Sequence, residues 1–238
     1  MNFLLSLITA TMLLFSCQGR AQSLDTKRTV VINTVISRGN VLKLSNDIDK
    51  MVTASKAPIH IVINSPGGDV ITGFMFINYM ESIKAKGVEF HCYVPGIAAS
   101  MAFQILIHCD KRYALSKAFL LWHGVRVQLG GGMFTSGVIV TAKSAISLAN
   151  DLMALDSVII KELLESLSIE QSLVMYHFDN ETLHVASNLA QLAPNFITTK
   201  DTITGLLETL KSKTLPSAAG EPEGEFNPGE IIYIKDAQ

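Results

Sequence analysis

The stretch Ile59-His60-Ile61-Val62-Ile63 restricts the fold more than any other, because it is too continuously apolar for a strand with one wet face. A strand buried on both faces belongs to a parallel sheet covered by helices. It runs into Asn64-Ser65-Pro66-Gly67-Gly68, and from Val70 to Lys84 the apolar residues return at helical spacing. The same alternation recurs along the chain. Thr29 to Ile36 is rich in β-branched residues and reads as a first strand, and Asn40 to Ala54 puts Val41, Leu42, Leu44, Ile48, Met51 and Val52 on one helical face. Val88 to Val94 reads as strand, Met101 to Ile107 as helix, and Tyr113 to Leu115 and Phe119 to Trp122 as two further short strands. The expected class is α/β, with repeated β-β-α units and a mainly parallel sheet flanked by helices.

A chain of 238 residues suffices for one well-cored domain with appendages, expected here over residues 28–211. Met1 to Ser16 carries no charged side chain, and its apolar block from Phe3 to Phe15 has the length of a signal-peptide core rather than of a membrane span. Residues 1–21 therefore read as a signal peptide or membrane-anchor segment, with Gly19-Arg20-Ala21 supplying the small residues a signal peptidase reads. The implied location is exported: periplasmic, or anchored to a membrane, with lipidation at Cys17 in Leu14-Phe15-Ser16-Cys17 as the lipoprotein alternative. A buried N-terminal helix is the competing reading. Residues 212–238 form an acidic, Pro- and Gly-containing tail expected to be flexible, with Ile231-Ile232-Tyr233-Ile234 as a late strand.

Several function classes are disfavoured at this level. A net charge of −2 offers no footprint for nucleic acid, so none is expected as a partner. The histidines show neither HExxH nor paired spacing, and no phosphate-binding glycine motif occurs, so neither a metal nor another cofactor is expected. Three cysteines make no disulfide framework. Cys92 and Cys109 read first as small buried hydrophobes, although an oxidising compartment would let them pair.

The run Val94-Pro95-Gly96-Ile97-Ala98-Ala99-Ser100-Met101-Ala102-Phe103 joins a β-type segment to an apolar helix through small residues, with Ser100 at the junction. Gly96 permits a tight turn, and Ala98 and Ala99 leave the hydroxyl approachable. On its own, Ser100 reads first as a helix N-cap, a role serine commonly fills. Two other stretches shift that balance. Gly67 and Gly68 can present backbone N–H groups at close range, and Phe119-Leu120-Leu121-Trp122-His123 ends a strand on an imidazole suited to general-base work.

Together, Ile63 to Gly68, Gly96 to Met101, Lys111-Arg112-Tyr113-Ala114-Leu115 and His123 resemble the proteolytic subunit of the Clp protease, a serine peptidase with a crotonase-like fold. The resemblance implies Ser100 as nucleophile, His123 as base, and the N–H groups of Gly68 and Met101 as oxyanion hole. Aligned from Ser168 onward, Asp179 falls where the family has the carboxylate that orients the histidine; the residues alone equally fit a turn aspartate. Gly67 and the segment after the histidine, through Val125, Val127 and Leu129, would line an extended peptide, whereas Gly130-Gly131-Gly132 read as a flexible hairpin. Substrates would be peptides or unfolded proteins. The long helical pattern of Val138 to Leu167 would interlock copies into a homo-oligomeric ring, and periodicity alone equally allows packing on its own core. Family members in the cytosol are fed by a ring-shaped ATPase unfoldase, a partner expected here only if the chain stays there. A noncatalytic oligomeric scaffold and a crotonase-type acyl-thioester enzyme are the alternatives.

Overall fold

A computed structural model of the chain describes residues 26–126, 142–202 and 206. The leader of residues 1–21 with Cys17, the residues Val127 and Leu129, the glycines 130–132, and the acidic tail of 212–238 lie outside the described residues. Among the described residues no helix is long and apolar enough to cross a membrane.

The first half of the chain runs β1 (Thr29–Ile32), α1 (Arg38–Ala54), β2 (Ile59–Ile63), α2 (Val70–Lys84), β3 (Phe90–Val94), β4 (Ile97–Ala99) and α3 (Met101–Ile107). The second half continues β5 (Lys111–Leu115), β6 (Phe119–Leu121), α4 (Ala142–Leu167), α5 (Gln171–Asp179), β7 (Leu183–Val185), α6 (Ala186–Leu192) and β8 (Thr198–Lys200). One sheet has the order β1-β2-β3-β5-β8 and is parallel throughout; a smaller one has the order β4-β6-β7, with β4 parallel and β7 antiparallel to β6. This is the α/β architecture expected from the alternating pattern. Ile59, Ile61 and Ile63 are fully buried, and His60 on the opposite face is 4% exposed, so β2 is covered on both sides.

Local differences from the sequence reading have physical causes. The first strand stops at Ile32, and Ile36 returns only as a bridge to Gly68. The small residues read as a turn before Ser100 contain a strand, β4, since Ile97-Ala98-Ala99 lie flat enough to pair with β6. Ser168-Ile169-Glu170-Gln171 has the sequence pattern of a capping box, yet Ser168 opens none. It takes φ 53° past the end of α4, and Glu170 is the residue flanking α5.

Cys92 and Cys109 are joined by a disulfide, both buried, which corrects the reading of two unpaired hydrophobes. Strand β3 and the end of α3 bring them together; spacing in the sequence does not encode that approach. Next to it, the Arg112 guanidinium donates to the carbonyls of Phe196, Ile107 and Cys109 and lies over the Phe196 ring, binding β8's approach to the helix end.

Candidate active site

The smaller sheet collects the candidate residues at one edge. β4 and β6 are parallel with Ala99 opposite Leu121, so Ser100 and His123 both leave the sheet at its C-terminal edge. Ser65 bridges to Ala98 through Ser65 N–H to Ile97 O at 2.9 Å and Ala99 N–H to Ser65 O at 3.1 Å. That bridge carries the line of β2 across to β4, and the Gly67-Gly68 loop therefore arrives at the same edge. Parallel strands in α/β folds gather their ligand-binding loops at such edges.

Ser100 has φ 55° and ψ −126°, a left-handed conformation that non-glycine residues rarely adopt. It flanks α3 in the N-cap position, yet its side chain makes no capping hydrogen bond. The capping explanation for this serine fails, and its hydroxyl is left for other work. Gly67, at φ 101°, passes so close that a Cβ there would lie 2.6 Å from the Ser100 Cβ and 2.9 Å from the Met101 nitrogen. Only glycine fits. Both peptide groups around Gly68 are committed to Ile36, whose N–H donates to Gly67 O at 2.8 Å and whose carbonyl accepts from Asp69 N–H at 2.9 Å. In such a pairing the N–H of the intervening residue faces the other way. Asp69 then caps α2 by accepting from Thr72 N–H at 2.7 Å, and the Thr72 hydroxyl together with that N–H holds its carboxyl below the ordinary value. Met101 is seated by α2: a Cβ on Gly73 would come within 2.2 Å of its Cγ. Neither the Gly68 nor the Met101 N–H has an acceptor among the described residues.

Gly68, Ser100, Met101 and His123 line one cavity of about 260 Å³, with Val70, Gln104, Gly124, Val125, Arg126 and Ile159 completing its wall. Among the described residues no hydrogen bond joins the Ser100 hydroxyl to His123; such bonds are often long in an unliganded site. His123 Nδ1 lies 2.6 Å from the Gly124 carbonyl. Gly67 lies beneath the serine rather than on the wall, while Val125 is on it with its N–H already given to Asp156. Arg126 forms an ion pair with Glu181. Asp179 is the last residue of α5, exposed, absent from the cavity wall and without a hydrogen bond to His123 among the described residues.

Two residues of the site escape a motif reading. Gln104 is 3% exposed, on the cavity wall, and its Oε1 has no hydrogen-bond partner among the described residues. Its signal is a lone amide in the otherwise apolar Met101-to-Ile107 helix. Asp156 interrupts the apolar stripe of α4 between Leu155 and Ile159, and this break in periodicity was its only mark.

The chain is 31% identical over 103 residues to the ATP-dependent Clp protease proteolytic subunit of Bdellovibrio bacteriovorus, a match covering 42% of this chain and 43% of that relative. The chain thus matches less than half the length of the relative. The family model described as Clp protease matches residues 16–175, which takes in the glycine loop, Ser100, His123 and Asp156 and ends short of Asp179. Since that match covers well over half of the sequence and the fold is the mainly parallel α/β architecture it calls for, the chain belongs to the Clp protease family.

Proposed function

We propose that this chain is an exported serine endopeptidase that hydrolyses peptide bonds in short peptides or unfolded proteins. The observation that carries the reading is the sharing of one cavity wall by Ser100, His123 and two N–H groups with no acceptor of their own. The Ser100 Oγ attacks the peptide carbonyl and His123 Nε2 removes its proton. Gly68 and Met101 N–H stabilise the oxyanion, and the imidazolium returns the proton to the departing amine. Water then repeats the sequence on the acyl-enzyme, with His123 again as base.

Export is supported by the uncharged apolar leader and by the Cys92–Cys109 disulfide, a bond at home in an oxidising compartment. An ATP-driven unfoldase has no fuel there, so substrates need to arrive already extended. Assembly with further copies is supported by Ile146, Met153 and Val158, large apolar side chains exposed along α4.

The test is treatment of the full chain with a fluorophosphonate probe, followed by mass spectrometry and by hydrolysis of fluorogenic peptides without added ATPase. Labelling at Ser100, lost in Ser100→Ala together with hydrolysis, is the expected result. The rival is a noncatalytic oligomeric scaffold, and an unlabelled serine in a folded chain would count for it against the peptidase.

A further inference from the structure

The partner of His123 is a peptide group. A carbonyl oxygen can only accept, so the 2.6 Å contact from Nδ1 to Gly124 O puts the proton on Nδ1 and leaves the Nε2 lone pair free. The other end of that peptide group is the Val125 N–H, which donates to Asp156 Oδ1 at 2.7 Å. One planar, resonance-linked amide therefore stands between a carboxylate and the imidazole. An anion on the N–H side of an amide pushes electron density onto its oxygen, and hydrogen bonds in such a chain strengthen one another.

The fit around this amide is close. A Cβ on Gly124 would lie 3.4 Å from both Asp156 carboxylate oxygens and 3.3 Å from the Phe178 ring, so the carboxylate is seated against bare backbone. Asp156 is half-buried on α4, one turn before Ile159 on the cavity wall. Arg126, a charged side chain on that wall, is engaged by Glu181.

We propose that Asp156 is a positioning residue for His123, acting through the Gly124–Val125 peptide, where the family resemblance assigns a direct contact to Asp179. The inference rests on the serine-peptidase reading for its consequence, though not for its geometry. The proton bookkeeping is simple: Nε2 accepts the Ser100 proton and later releases it to the amine. The Nδ1 proton stays on Nδ1, donated to the Gly124 carbonyl, and nothing crosses the amide. The carboxylate fixes the tautomer and stabilises the imidazolium at one remove.

The experiment uses the full chain with 15N-labelled histidine, the His123 signals being assigned with His123→Gln. In the unsubstituted protein His123 should be the Nδ1-protonated tautomer. Asp156→Asn keeps an acceptor for Val125 N–H but removes the charge. It should lower kcat/KM on the order of ten-fold and move the acid limb of its pH profile down by about half a unit to one unit. It should also admit the Nε2-protonated tautomer. Asp156→Glu should recover part of the rate, and Asp151→Asn on the exposed side of the same helix should do none of this. Asp156→Asn with an unchanged tautomer and an unchanged pH profile would overturn the inference. So would Asp179→Asn producing the shift in its place. A chain whose Ser100 takes no probe overturns the peptidase reading instead, and the nitrogen spectra still decide the link between Asp156 and His123.

Discussion

The Ser100 N–H donates to the Leu121 carbonyl at 2.9 Å, tying the residue that bears the hydroxyl to the strand that ends two positions before the imidazole. The main chain of the candidate nucleophile is thus held from the side of its candidate base. This bond, the Gly67 approach and the seating of Met101 over Gly73 together over-determine the φ of 55° at Ser100. A left-handed serine persists only where its surroundings leave it no alternative.

That strain has a measurable cost. Ser100→Gly, which removes the Cβ responsible, should be more stable than Ser100→Ala by about 1 kcal/mol, although both abolish hydrolysis. Thermal unfolding of the two variants side by side reads the difference as about 2–4 °C. A glycine variant that melts below the alanine one would mean the backbone is relaxed at this position.

Gly67→Ala should act in the opposite sense. The new Cβ meets the Ser100 Cβ at 2.6 Å and the Ala99 carbonyl at 2.7 Å, both on or next to the main chain, from a residue at φ 101°. The expected loss is about 2–4 kcal/mol, with much slower probe labelling at Ser100 in whatever folds. Labelling at the unsubstituted rate would show that the loop and the serine move independently.

Gln104 makes a prediction about both stability and selectivity. A buried amide oxygen without a partner costs about 1–3 kcal/mol, and a donor on the substrate side chain entering the cavity would satisfy it. Gln104→Met should therefore raise the unfolding midpoint while lowering kcat/KM for peptides with Gln or Asn before the cut relative to Met or Leu. Equal losses on both peptide sets would remove Gln104 from substrate choice.

Much of this fold was legible because burial on both faces leaves a continuous apolar run in the sequence. Ile59 to Ile63 and the start of α3 at Met101 follow from that rule, while the helix span Val70–Lys84 follows from helical spacing. The three-residue strands β4, β7 and β8 carry no such run. They were missed because pairing with neighbours distant in the chain, rather than their own pattern, makes them strands. The site divides the same way. Glycines and the serine announced themselves through their turns, whereas Asp156 acts from 31 positions beyond Val125 and only the folded chain brings it there.

The disulfide gives a prediction that also bears on location. Closing a loop with a separation of 17 residues restricts the unfolded chain by about 3 kcal/mol. A reducing agent should lower the melting temperature of the purified protein and leave that of a Cys92→Ala, Cys109→Ala double variant unmoved. Free-thiol titration of the folded, unreduced protein that finds both cysteines reactive after denaturation would refute the bond.

Acid should destabilise the protein well before its carboxylates titrate. Burial, reinforced by His91 and Arg28, pushes His60 down to about 4, and burial with His177 pushes His184 down to about 4. Both are held neutral in the native state, while in the unfolded chain each binds a proton near its ordinary value of about 6.5. Below that pH the unfolded state takes up protons that the folded state refuses, so stability falls as pH falls, by about 2 kcal/mol per histidine at pH 5. The carboxyls of Asp69, Glu81 and Glu89 are all held below their ordinary values, so their losses begin only at lower pH. The interval from about pH 6.5 to 5 therefore isolates the histidines. Urea midpoints measured across it should drop steeply for the full chain and less steeply for His60→Gln and for His184→Gln. The two variants should each remove part of the slope, since His60 sits between β1 and β3 whereas His184 is stacked on Trp122 at 4.4 Å in the other sheet. Slopes that match the unsubstituted chain in both variants would mean that neither imidazole is held neutral by the fold.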